Sequence, residues 1–158
     1  MEIVLPEYKH LLLLLNKHNV EYMLIGGYAV IYYGYERSTT DMDIWLKPEN
    51  VNRDKLIAAL KEFEINSESL VKLSVLDFNQ IQFFFFGEKP RRIDFLTKIN
   101  NVTFDEAYPV VNFLPLQNEK IPVIQYEHLI LSKISNNREQ DKADVDMLQK
   151  IRNQASNK

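Results

Sequence analysis

Cysteine is absent from these 158 residues. That excludes disulfides, thiolate zinc sites and a cysteine nucleophile. It fits a reducing compartment, so the expected location is cytoplasmic. Histidine is scarce: His10, His18 and His128 show no ligand spacing, and none is expected to be catalytic. Long apolar runs are also missing. Leu11 to Leu15 is a run of leucines close to His10 and Lys17, far short of the roughly 20 apolar residues of a membrane span. The acidic start Met1-Glu2 lacks the basic region of a signal peptide, so neither a targeting segment nor membrane association is expected. Positive charge is not in excess either. A net charge of −3 leaves only a local basic patch as a route to nucleic acid. Internal repeats, linkers and low-complexity stretches are absent apart from a short polar tail at 153–158. The hydrophobic share of 46% and charged share of 26% are ordinary for a globular chain. The expectation is one domain over residues 1–152 with its own core.

The stretch from Ile25 to Leu46 carries the chemistry. Tyr22-Met23-Leu24-Ile25 is an apolar strand, Gly26-Gly27 follows it, and Tyr28 to Tyr33 reads as a short helix ending near Gly34. Glycine lets backbone approach a ligand, and a helix N-terminus offers free N–H groups to an anion. Taken alone, a glycine pair is as readily a tight turn. Asp41-Met42-Asp43-Ile44 alternates polar and apolar residues, as a strand does. Asp41 and Asp43 then project from one face. Two carboxylates side by side repel, and an oxygen-ligated divalent cation, Mg²⁺ or Mn²⁺, removes that repulsion. A phosphate cradle facing a carboxylate pair is a layout for phosphoryl or nucleotidyl transfer.

Around that stretch the periodicity predicts further elements. Pro6 to Lys17 is a helix with Leu11, Leu12 and Leu15 inward and Pro6 in its first turn, and Asn19 ends it. Asn50 caps an amphipathic helix from Val51 to Phe63. Leu70, Leu73 and Leu76 suit a short helix. Gln80 to Phe86 contains four consecutive phenylalanines and reads as a strand buried on both faces. The turn Gly87 to Pro90 returns the chain as an antiparallel strand from Arg91 to Thr97, with Arg92, Asp94 and Leu96 on one face. Lys89, Arg91, Arg92 and Lys98 form the densest basic cluster, either a solvated hairpin tip or a contact for a polyanion. Phe104 to Ala107 is a helical piece between loop and strand. Helices follow from Tyr126 to Ser135 and from Glu139 to Arg152. In the last one Asp141 and Asp144 share a face and are placed to anchor Lys133 or Arg138.

The strand, Gly26-Gly27, short helix and Asp41-x-Asp43 resemble the signature of the DNA polymerase β-like nucleotidyltransferase superfamily. Ile93-Asp94-Phe95-Leu96-Thr97 matches its third-carboxylate segment. Arg37-x-Thr39 before the aspartates resembles the small bacterial nucleotidyltransferases grouped with the abortive-infection (type IV) toxins. So does the later pattern Leu129-Ile130, Lys133, Arg138, Asp141 and Asp144. The resemblance runs from about Tyr22 to Leu148.

It implies an α/β (α+β) fold, with a mixed β-sheet nucleotidyltransferase core, flanking helices and a short helical C-terminal end. It also implies a metal-dependent transfer of a nucleoside monophosphate from a nucleoside triphosphate to an acceptor hydroxyl. Asp41, Asp43 and Asp94 would hold the metal, with Asp94 also placed to take the acceptor proton. Gly26, Gly27, Arg37 and Lys133 would hold phosphates. Thr39 stands between a triphosphate contact and a turn cap. The toxin-like resemblance points to RNA or protein as acceptor, with a cognate antitoxin or other partner protein. The alternatives are modification of a small molecule such as an antibiotic, and a catalytically silent antitoxin or binding component.

Overall fold

The structure, a computed structural model, describes residues 4, 6–39, 41–89 and 91–156. Thr40, Pro90 and the last two residues of the polar tail lie outside the described residues. Four leucines of helix α1 (Pro6–Lys17), Leu11, Leu12, Leu14 and Leu15, are buried, one more than the periodicity predicts. Asn19 at φ 58 turns the chain into strand β1 (Tyr22–Ile25), buried along its whole length. Helix α2 (Gly26–Tyr32) starts on the glycines themselves, earlier than the expected Tyr28. Strand β2 (Met42–Leu46) pairs antiparallel with β1, with Leu24 opposite Ile44 and Ile25 opposite Asp43.

Helix α3 (Asn50–Glu62) begins one residue earlier than expected. Glu49 takes the capping position and makes no side-chain cap. Asn50 instead accepts a hydrogen bond from the Phe78 N–H at 2.8 Å, bracing the loop after helix α4 (Ser67–Ser74). Buried Asn52 accepts from the Glu21 N–H and donates to the Glu21 and Lys47 carbonyls, fastening α3 across the ends of β1 and β2.

Strand β3 (Phe83–Phe86) corrects the expectation for the phenylalanine run. It is short and stands at the edge of the sheet, alternating exposed and half-buried residues rather than burying both faces. It pairs antiparallel with β4 (Ile93–Leu96), as expected, and β4 pairs parallel with β2. After helix α5 (Phe104–Ala107), closed by a Thr103–Glu106 capping box, come strands β5 (Asn112–Leu116) and β6 (Glu119–Val123). Where one strand was expected there is a hairpin, and Ile121 to Val123 belongs to it. Helix α6 (Tyr126–Ile134) follows. Helix α7 (Glu139–Ser156) continues past Arg152 into the expected tail.

The six strands run β3-β4-β2-β1-β6-β5 in a mixed sheet. Trp45, Tyr8, Tyr22, Phe78 and Phe95 are the largest side chains fully enclosed in the core. Among the described residues no helix is long and apolar enough to cross a membrane. The mixed α/β sheet with flanking helices is the fold class the sequence implies.

Candidate active site

The site forms at one end of three adjacent strands. Parallel pairing of β2 with β4 sets Asp43 directly beside Asp94, so two residues far apart in the chain become neighbours on one face. Asp41 lies just before β2. Its Oδ1 atom is buried without a hydrogen-bond partner, and its Oδ2 is 4.0 Å from Lys89 Nζ. Asp94 is 6% exposed. Its Oδ2 accepts from Arg92 at 3.2 Å, while Oδ1 lies 2.7 Å from Arg92 Nε without the alignment of a hydrogen bond.

Asp43 bears the consequence of this crowding. Burial, then the Asp94 carboxylate and more weakly Asp41, push its carboxyl up to about 7, against the opposing pull of Lys133. A carboxyl in low dielectric beside others of its charge keeps its proton. Gly26 explains how the backbone tolerates Asp43 so close. It sits at φ +63, and a Cβ there would overlap the Asp43 carboxylate, 2.9 Å from its Cγ. A Cβ on Gly27 would overlap Thr39 and come within 3.1 Å of an Arg37 guanidinium nitrogen. The glycines thus let the β1–α2 junction close onto the aspartates and onto the Arg37–Thr39 turn. The Thr39 hydroxyl donates to the Asp41 carbonyl at 3.2 Å, closing that turn.

Arg37 and Lys133 meet at a residue whose role the sequence left open. Fully enclosed Asp144 lies 3.1 Å from Arg37 Nε and accepts from Lys133 Nζ at 3.1 Å. Lys133, itself buried, also donates to Asp141 at 2.8 Å. Two cations and two carboxylates thus bind α7 to α6 and to the Arg37 turn. The anchoring of Lys133 by Asp141 and Asp144 matches the i, i+3 spacing in the sequence, whereas the reach of Arg37 to Asp144, over a hundred residues away, had no local signal. Arg92 was also missed as the partner of Asp94, although the two share a face on an Arg-x-Asp strand. The basic cluster is largely matched by acids: Lys89 faces Asp41, Arg91 pairs with Glu7, and Arg92 pairs with Asp94.

Part of this constellation borders an open cleft of about 420 Å³, lined by Gly26, Asp43, Asp94, Arg92 and Lys133 with Phe83 along one wall. Clefts of this size hold a small ligand. Among the described residues no three His, Asp or Glu side chains form a ready cluster for a metal ion. The donor set nevertheless fits a hard divalent cation. Its donors are carboxylate oxygens, one buried and unpartnered on Asp41, and a cation would relieve the crowding of Asp94 and Asp41 that, after burial, holds the Asp43 carboxyl up at about 7.

No family profile matches the chain, and no curated protein matches it in sequence. Among solved structures it is similar to the lincosamide antibiotic adenylyltransferase LnuA in its lincomycin-bound form, at 20% identity and a TM-score of 0.55. The match covers 96% of this chain and 99% of that one. The six-stranded mixed sheet and its helices therefore share the fold of a nucleotidyltransferase.

Proposed function

We propose that the protein is a metal-dependent nucleotidyltransferase that moves a nucleoside monophosphate from a nucleoside triphosphate onto a hydroxyl of a small molecule. The observation that carries this reading is the register of Asp43 beside Asp94, closed over by a glycine that has no room for a side chain. Placing two acids together costs stability, and the arrangement makes sense when they serve a ligand. In the reaction the acceptor oxygen bonds to the α-phosphorus, and the bond to pyrophosphate breaks with its electron pair leaving on pyrophosphate.

Asp41, Asp43 and Asp94 would hold Mg²⁺, or Mn²⁺ in its place. The bound ion supplies positive charge against the phosphate oxygens. Asp94, at the β4 side, takes the acceptor proton. Gly26 and Gly27 bring backbone N–H groups toward the triphosphate. Lys133 and Arg37, held in place by Asp144, add positive charge behind it.

A small acceptor is favoured over RNA or protein by two observations. The cleft is compact and mixed in charge, and most of the basic cluster is already paired with carboxylates. The solved structure of similar fold acts on an antibiotic. The test incubates the protein with each labelled nucleoside triphosphate, Mg²⁺ or Mn²⁺, a panel of hydroxylated antibiotics, and separately a total RNA and protein extract. Label on a small molecule is expected. Label only on RNA or protein moves the acceptor to the toxin-like reading. Asp94→Asn should bind triphosphate nearly as wild type and transfer at least about 10²-fold more slowly. Equal transfer by the variant would exclude Asp94 from the chemistry.

A further inference from the structure

The antiparallel register of β3 against β4 sets Phe85 opposite Asp94 and Phe83 opposite Leu96. Directly opposed residues project to the same face. Phe83 and Phe85 therefore stand on the carboxylate face of the sheet. Phe84 and Phe86 turn to the other face and pack on Phe95. Phe83 and Phe85 stay 59% and 50% exposed, with ring centroids 6.5 Å apart. Phe83 lines the same cleft as Asp43 and Asp94, and Leu96 and Ile99 extend its apolar wall. Rings so exposed contribute little to the core.

Their position relative to the glycines assigns them a direction. Across the sheet the order is β1, β2, β4, β3. It carries in turn the Gly26 junction, Asp43, Asp94 and the two rings. Neighbouring strands lie about 4.8 Å apart, so the rings stand roughly 14 Å from the glycines, on the opposite side of the carboxylates. In an in-line displacement the attacking and leaving oxygens lie on opposite sides of the phosphorus. With the triphosphate at Gly26 and Gly27, pyrophosphate leaves toward β1 and the acceptor arrives from β3.

We propose that Phe83 is the acceptor-binding wall of this site, and that the acceptor is a small hydroxylated molecule with a flat apolar face, such as an aryl-substituted sugar. The inference rests on the nucleotidyl-transfer reading and adds the class of acceptor to it. The ring stacks on the apolar face and leaves the hydroxyl at Asp94. Phe85 has a second task. The Arg92 guanidinium lies 4.6 Å from its ring centroid while pairing with Asp94, so Phe85 also positions that arginine. Phe83 has no such tie and is the cleaner residue to change.

The test compares phenyl β-D-glucopyranoside with methyl β-D-glucopyranoside, which share their hydroxyls and differ in the aryl group. Binding is measured by saturation-transfer NMR on the full chain with Mg²⁺ and a non-hydrolysable α,β-methylene triphosphate. Wild type should bind the phenyl glycoside on the order of tenfold more tightly, with saturation strongest on the aryl protons. Phe83→Ser should lose most of that preference. Its melting temperature and its calorimetric affinity for the triphosphate analogue should stay unchanged. No aryl preference in wild type, or the same preference in Phe83→Ser, overturns the assignment. Weaker analogue binding in Phe83→Ser also overturns it, because the ring would then stack on a nucleobase. Failure of wild type to bind any of the four α,β-methylene triphosphates sinks the transfer reading itself, whatever the glycosides do.

Discussion

Asp43 is the residue on which the site's cost is concentrated. Its carboxyl is raised from 3.8 to about 7 by burial first and by Asp94 and Asp41 next. Between about 4 and 7 the folded chain holds a proton that the unfolded chain has released. The group's contribution to stability is therefore full in acid and is lost as pH rises through about 7. Glu62, Asp77 and Glu106 are shifted the other way, downward from ordinary carboxylate values by hydrogen bonds, so their contributions change in more acid solution than the pH 5.5–8 range that tests Asp43. In EDTA the melting temperature should rise from pH 8 to pH 5.5. Asp43→Asn should flatten that rise and exceed wild type at pH 8. A wild-type profile that Asn leaves unaltered would show that Asp43 is not the group responsible. Gly26 is the complementary case. Gly26→Ala forces a Cβ into the Asp43 carboxylate from a left-handed backbone. It should cost about 1–3 kcal/mol in urea unfolding and weaken Mn²⁺ binding. Full stability with normal Mn²⁺ affinity would mean the junction is loose enough to shift.

At the scale of elements, the Lys133–Asp141–Asp144–Arg37 network decides how α7 is held. Lys133→Met keeps the length of the side chain but leaves Asp141 and Asp144 enclosed with less compensating charge. Breaking a buried pair by removing one partner costs about 3–5 kcal/mol, so unfolding should shift by that order. If the loss is instead within about 0.5 kcal/mol, the carboxylates are solvated and the network is not what docks α7. The elements also show how far patterns reach. Helix α1 and strands β1 and β2 were legible because their apolar periods are strong and local. The four phenylalanines misled because hydrophobicity alone reports a wish for burial. The place of β3 at the sheet edge is set by strand order, a long-range property. The β5–β6 hairpin was half seen, because Pro115 and Pro122 interrupt the alternation that marks strands.

For the whole molecule, a ligand that binds only the folded state stabilises it by mass action. A triphosphate with Mg²⁺ at about a hundred times its dissociation constant should add about 2.7 kcal/mol to unfolding. Asp43→Asn should remove that gain, since it takes away a carboxylate oxygen of the proposed metal site. The check is thermal unfolding with and without Mg²⁺ and each triphosphate. A gain of the same size in Asp43→Asn would place the nucleotide elsewhere.

The candidate site was legible to the extent that its chemistry is local. Gly26-Gly27 and the alternation of Asp41 and Asp43 declare themselves within a few residues, because strand and turn geometry fixes which neighbours share a face. The i, i+3 spacing on α7 likewise announced Asp141 and Asp144 as a pair. Tertiary structure alone decided the rest. It set Asp94 beside Asp43 through the parallel register of β4 on β2. It brought Arg37 to Asp144, and it turned Phe83 outward along the cleft. Each of these depends on which strands pair and in what order. That choice is made by the sum of weak contacts over the whole core, and no short stretch of the chain encodes it.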